Sequence, residues 1–378
     1  MPPCLEDSRS LFEKLQQAEG LDLRDNRGKR HEIAVILVGV TLALLSKRDG
    51  CLSSIHRHVV QHYARVVEVL GVERKRAISR AQLPRVLEKV AVTVFDQLLL
   101  AHWGMTLQEE EKQWFAVDGK ELKGSRSAGA TRGEAVVRVL GQEGQSCQGQ
   151  AYYDGQRESE LTITQELLSA CGVAGQKLSF DALHCQVKTL ELIVQAKGRY
   201  LVGVKGNQPE LRRQMERVSH HAPVLYACQE VEKGHGRLET RRYEFYDLLG
   251  VAQAQRWQEC QLRTCVKVSR TREELKTQKS SQEKSYYVTN EVGNYEELSA
   301  AIRQHWRIES DNHVRDVSLQ EDALRSRSVG LQRVLAAART LVLEILKKLP
   351  CANKKAQLEH FADNFEGLLR TLRRLNFL

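Results

Sequence analysis

The chain is poor in the residues that would place it in several broad classes. It has 6 Pro in 378 residues and no Ser/Gly-rich tract, so no long flexible linker interrupts it. Its nine cysteines are scattered, none forms a Cys-x-x-Cys pair, and the number is odd. That pattern argues against a zinc finger or a disulfide framework and fits reduced thiols in a cytosol. The longest apolar run, Ile33 to Leu45, is 13 residues, against roughly 20 needed to span a bilayer, and reads as a buried helix. The first ten residues, MPPCLEDSRS, lack the basic-then-apolar order of a secretion signal, so a cytoplasmic protein with no membrane partner is expected.

What remains is a globular composition with 42% apolar and 28% charged residues and a formal net charge of +9. The excess of cations favours an acidic partner, nucleic acid first.

Residues 1–105 read as all-helical, with apolar positions recurring at helical spacing in 31–47, 54–72 and 83–100. The basic stretch Arg74, Lys75, Arg76 and Arg80 reads as a solvated loop or as a contact to a DNA backbone. From Trp114 the pattern changes to three short strands, 114–119, 135–142 and 146–153, separated by glycine-containing turns. A helix over 160–171, a strand over 178–183, a helix over 187–196 and a strand over 200–206 follow. This is an α/β order with helices covering a mixed sheet. Residues 208–291 return to strand-like alternation; in 260–270, Arg263, Lys267 and Ser269 share a face opposite Leu262, Val266 and Val268. The last quarter is helical, opening at Asn294 with Glu297 in a capping-box arrangement.

Three acids stand out within this order. Asp118 closes an apolar strand in FAVDGKELKG, and Asp181 repeats the arrangement in KLSFDALHCQ. Ligands of open α/β sheets bind at such carboxyl ends, although an Asp there also serves as an ordinary turn residue. Glu309, eleven positions after Leu298, falls on the same helical stripe as Ile302, His305, His313 and Asp316, at about 100° per residue. A carboxylate on an apolar stripe needs a cation, either a bound ion or a neighbour such as Arg307 or Arg315. Trp306 reads as a core anchor, and His184 and His313 as poor ligands for a hard ion. Three carboxylates from two strands and a helix make an oxygen-rich site for Mg²⁺, and two such ions suit phosphoryl transfer on a nucleic-acid backbone.

The blocks DGKELKGS (118–125), FDALHCQ (180–186), VKGNQ (204–208), EKGHGRLETR (232–241), YYVTN (286–290) and HWRIESDNHVRDVSLQED (305–322) occur in the order of a known family. The chain resembles the DDE transposases of bacterial insertion sequences, specifically the H-repeat-associated, ISAs-type group, over nearly its whole length. Where many members read His-Trp-x-Ile-Glu-Asn-x-Leu-His-Trp, this chain has Ser310, Asn312 and Val314. The resemblance implies a ribonuclease-H-like mixed-sheet core (106–207 and 292–325) with a β-rich insertion (208–291). Helical regions flank it at 1–105, a candidate DNA-binding region, and at 326–378. It implies Asp118, Asp181 and Glu309 as the catalytic metal-binding triad, holding two Mg²⁺ or Mn²⁺ ions. The implied activity is cleavage at element ends and strand transfer into double-stranded target DNA, by a homo-oligomer in a bacterial cytoplasm, on the nucleoid. A decayed copy that binds DNA without cutting, or a nuclease without strand transfer, is the alternative. Lys120, Lys123, Lys205, Asn207, Gln208, His235 and Arg237 fall in the matched blocks. They are candidates to bind phosphates or to order the metal ligands, and with Arg263 and Lys267 they are the candidate DNA contacts.

Overall fold

The apolar run Ile33–Leu45 forms one helix, and each of its thirteen residues is buried, which only a central position among other helices permits. The computed structural model describes residues 8–73, 76–103, 113–142, 146–171, 175–234, 236–248 and 255–378. The N-terminal helices are α1 (Leu11–Gln17), α2 (Ile33–Leu45), α3 (Leu52–Val69), α4 (Gln82–Leu87) and α5 (Val92–His102). The amphipathic stretch expected over 83–100 is broken between α4 and α5, because Val90 leaves the helix to bridge Asp22 and Ala91 is extended. These helices share one core with α11 (Val329–Lys347), α12 (Lys354–Asp363) and α13 (Phe365–Arg374) from the far end of the chain. The backbone N–H groups of Leu11 and Phe12 donate to the carbonyls of Asn376 and Phe377, at 3.0 Å each.

Among the described residues nine strands make one sheet: β1 (Trp114–Glu121), β2 (Glu134–Gly141), β3 (Cys147–Asp154), β4 (Lys177–Phe180), β5 (Arg199–Val204), β6 (Tyr226–Gly234), β7 (Arg237–Asp247), β8 (Thr264–Glu274) and β9 (Ser280–Thr289). Their spatial order is β3-β2-β1-β4-β5-β9-β8-β7-β6. β1, β4 and β5 run parallel, and the remaining neighbours are antiparallel. The expected strands are all present. Two elements were not anticipated: α8 (Pro209–His221), which opens the stretch read as strands, and β6. Strands β6 to β9 continue the sheet through the β5–β9 pairing, so they share its two faces.

One face carries Phe115, Val117, Phe180 and Val202 and is covered by α6 (Glu160–Cys171), α7 (Val187–Gln195) and α8. The other carries Trp114, Leu201, Tyr243, Phe245, Val266 and Val268 and is covered by α9 (Tyr295–His305), with α10 (Arg307–Val317) following it. Alternation along the strands puts Asp118 on this second face. The expected capping box at Asn294 is absent: Asn294 adopts φ +50° and its side chain makes no cap hydrogen bond. None of the described helices is long and apolar enough to cross a membrane.

α10 is fastened to the C-terminal helices by buried charge. Arg315 donates from Nε to Asp311 at 2.8 Å and from Nη1 to Thr340 Oγ1 at 3.0 Å; Lys347 Nζ lies 3.2 Å from Asp311. Burial alone would raise the Asp311 carboxyl, but Arg315 and Lys347 beside it hold it well below the usual carboxylate range.

His58 of α3 is 6% exposed and packs against His62 and Phe365. Burial, and then the charges of His62 and Arg48, push its pKa down to about 3. Between about pH 6.5 and pH 3 the unfolded chain therefore binds a proton here that the folded chain does not, so this contribution to stability falls as pH falls. Relative to His58→Leu, the native protein should lose about 2 kcal/mol between pH 7 and pH 5, at about 1.4 kcal/mol per unit below the ordinary value. Urea unfolding of both proteins at the two pH values measures it; parallel changes would mean that His58 is not held neutral.

Candidate active site

The site is built where the parallel strands end. β1 and β4 pair with Val117 opposite Phe180, so the next residues, Asp118 and Asp181, leave adjacent strands side by side. Asp181 is extended (φ −72°, ψ 177°) and caps the 3-10 turn Ala182–His184, accepting from Leu183 N–H at 2.9 Å. Asp118 is largely shielded from water. Burial, and then the charges of Glu160 and Asp181, push its carboxyl up to about 7. Asn312 of α10 donates to Asp118 Oδ2 at 3.1 Å, which ties the helix to the strand end.

Glu309 is close enough to Asp181 and Lys205 to feel both charges. Desolvation raises its carboxyl, Lys205 opposes this and Asp181 adds to it, leaving the group raised. Its surroundings differ from the sequence expectation. The helix was read as continuous from Leu298, but it breaks at Trp306, between α9 and α10. The phase is reset there: Ile308, Asp311 and Arg315 face inward, and Glu309 is exposed. Trp306 is 45% exposed and therefore not a core anchor.

Glu160, at the start of α6, was not recognised in the sequence. Its carboxylate sits over Gly119, where a Cβ would lie 2.3 Å from it. Its Oε1 is 3.1 Å from His184 Nε2, and Tyr153 Oη donates to Oε2 at 3.3 Å. Glu160 thus links the residue after Asp118 to the turn that carries Asp181. Only the glycine of the Asp-Gly pair hints at this in sequence, and a turn glycine looks the same.

The candidate cations separate into engaged and free-standing groups. Lys120 is 8% exposed and bridges Asp316 at 2.8 Å, Glu321 at 3.3 Å and Asp322 at 3.3 Å. Lys123 is exposed and 3.2 Å from Asp322. Lys267 pairs with Glu244 at 3.0 Å on the α8 side of the sheet. Arg263 precedes β8, and Leu262 packs on the α8 side rather than with Val266 and Val268, so the alternation expected over 260–270 holds only from Thr264 onward. Asn207 and Gln208 donate to the carbonyls of Ala182 and Cys185, at 2.6 and 2.7 Å, and so brace the turn behind Asp181. Lys205 follows β5 beside these ends and is exposed, as is Arg76, while Arg237 lines a cleft that also holds Glu309. Arg74, Lys75 and His235 lie outside the described residues.

Among the described residues, no three His, Cys, Asp or Glu side chains are already gathered as a metal cage. The donor chemistry nonetheless fits a hard divalent ion, because Asp118 and Asp181 offer oxygen alone and the charge of Asp181 makes Asp118 harder to ionise.

Residues 111–345 match the family model described as "Transposase DDE domain". The chain belongs to the DDE transposase family. It is 28% identical over 283 residues to "Putative transposase YncI" of Escherichia coli O157:H7, covering 70% of each chain. It is 29% identical over 249 residues to "H repeat-associated putative transposase YhhI" of Escherichia coli K12, covering 63% of this chain and 65% of that one. Similarity to "H repeat-associated putative transposase YbfD" of the same strain is 30% over 146 residues, 37% of this chain and 56% of the relative. The family match spans all nine described strands of the transposase, together with α9 and α10.

The charge coupling is directly measurable. Replacing Glu160 by Gln removes one of the anions that raise Asp118, so the Asp118 carboxyl should titrate at a lower pH than in the native protein. Carboxyl ¹³C shifts of Asp-labelled protein report it; an unmoved titration would separate Glu160 from the site.

Proposed function

We propose that the chain is a DNA transposase that cuts element ends and joins the freed 3′-OH to target DNA, with Asp118, Asp181 and Glu309 as its catalytic acids. The observation that carries this reading is the pairing of Asp118 and Asp181 at the ends of adjacent parallel strands, with mutually unfavourable charge and the α10 acid Glu309 coupled to Asp181. The core order β3-β2-β1-β4-β5, with its first three strands antiparallel, supports a ribonuclease-H-like reading of this part of the sheet.

The family uses divalent metal ions; on this reading Asp118, Asp181 and Glu309 hold Mg²⁺ or Mn²⁺, two ions in all. Bound there, such ions polarise a phosphodiester and stabilise charge on the attacking and leaving oxygens. The chain's own groups do the positioning. Asn312 orients the Asp118 carboxylate, Glu160 and His184 fix the turn bearing Asp181, and Lys205 supplies a cation beside Glu309. Hydrolysis breaks a phosphodiester and leaves a 3′-OH at the element end. That hydroxyl then attacks a target phosphorus, a new P–O bond forms, and the target's 3′-oxygen leaves. Uniting two ends with one target calls for a homo-oligomer on double-stranded DNA, in the cytoplasm on the nucleoid.

Asp118→Asn, Asp181→Asn and Glu309→Gln each keep their shape and lose the charge that would hold a cation. Each should cut end-containing DNA in Mg²⁺ at least about 100-fold more slowly while binding that DNA as the native protein does. Nicking rates and gel-shift affinities on one substrate measure both. Near-native nicking by Glu309→Gln would remove it from the triad, and Asp311 and Asp316 are then poor substitutes, because each already pairs with a buried cation.

A further inference from the structure

A cleft of about 760 Å³ opens between the β6–β8 ribbon and α10, on the face of the sheet that carries Asp118. Glu309, Trp306 and five arginines line it: Arg237, Arg241, Arg270, Arg272 and Arg303. The cleft is separate from the Lys267 side of the same strands, where Lys267 pairs with Glu244.

The arginines are arranged around one buried carboxylate. Glu239 is 5% exposed, bonded to Arg241, and lies 3.0 Å from Arg270, 3.1 Å from Arg272 and 4.0 Å from Arg237. Arg241 and Arg270 are directly opposite in the β7–β8 register, a like-charge pairing that a sheet ordinarily disfavours. On the other side, Arg303 of α9 reaches Glu232 of β6 at 2.7 Å. A carboxylate accepts about four hydrogen bonds, whereas each guanidinium offers five N–H groups. Glu232, Glu239 and Glu283, the last 3.7 Å from Arg270, therefore leave about half of the donors on five arginines unused, and in the cleft lining the five arginines and Lys233 outnumber Glu232, Glu239 and Glu309. Trp306 supports one of them, with Arg270 Cζ 5.3 Å from its ring centre.

We infer that this cleft binds the phosphodiester backbone of a DNA strand next to Glu309, and that Glu239 is the positioning residue that splays its arginines. The identity of the polyanion rests on the transposase reading; the site itself rests on the arginine geometry. A planar, forked donor suits phosphate oxygens, and one buried anion fixes four forks without neutralising them.

The test is fluorescence anisotropy of a labelled DNA duplex with the full chain in EDTA, titrated with KCl. No cutting occurs under these conditions, so failure of the catalytic assignment leaves this result unchanged, and Asp118→Asn should bind as the native protein does. The double variant Arg270→Gln/Arg272→Gln should bind about tenfold more weakly, with the slope of log affinity against log salt reduced by about 1 to 2. The control pair Arg212→Gln/Arg213→Gln, on α8 across the sheet, should bind within about twofold of native. Glu239→Gln adds positive charge yet should weaken binding about threefold or more, because the forks lose their common anchor. Thermal melts confirm that each variant is folded. Native affinity and slope in the Arg270/Arg272 double variant would overturn the site, and tighter binding by Glu239→Gln would overturn the positioning role.

Discussion

The parallel pairing of β1 with β4 is the constraint on which the rest of the site depends. It fixes Val117 against Phe180 and therefore delivers two carboxylates together at a shared strand end. Like charges at strand spacing are unfavourable without a counter-ion. The surrounding elements read as devices for holding that unfavourable arrangement still. Asn312 reaches Asp118 from α10, Leu183 N–H holds Asp181, and the amides of Asn207 and Gln208 brace the turn from behind. A crossover between parallel strands also needs a helix, which is why α6 arrives with Glu160 over Gly119.

Most of this was legible in the sequence for a physical reason: buried parallel strands are short apolar runs, and the acids end them. β8 falls largely inside the 260–270 stretch whose alternation was read as a strand, although it runs on to Glu274. What escaped were properties set by distant contacts. The periodicity from Leu298 to Asp316 is real on each side of Trp306 but changes phase at the break, so Glu309 and Asp316 moved off the inward face while Asp311 and Arg315 took it. Lys120 read as a candidate phosphate contact in its matched block. Its three acidic partners lie about 200 residues later, where no local pattern reveals them. Glu160 was hidden for the same reason, as one acid among several at a helix start.

The buried ion network gives α10 two attachments of different character. Toward the sheet it is held by Asn312 on Asp118 and by Lys120 on Asp316. Toward the helical core it is held by Arg315 and Asp311 against Thr340 and Lys347. Removing one partner from such a cluster strands a charge in a dry environment, which costs more than the pair itself contributes. The helix that presents Glu309 is thus committed to both halves of the molecule, and the active-site geometry reports on how they are packed.

The wholly apolar α2 has a consequence for how the chain is made. Its cover includes α11, which follows about 280 residues later in the sequence. At roughly 5 to 20 residues per second of synthesis, α2 leaves the ribosome some 15 to 60 s before that partner exists. During this interval a helix with no polar face has only its N-terminal neighbours to shelter it. Any shortened product that stops before Val329 lacks α11 and leaves the side of α2 that α11 covers without its partner. Whether a full-length molecule or an aggregate forms is decided late, when the last helices close over the first.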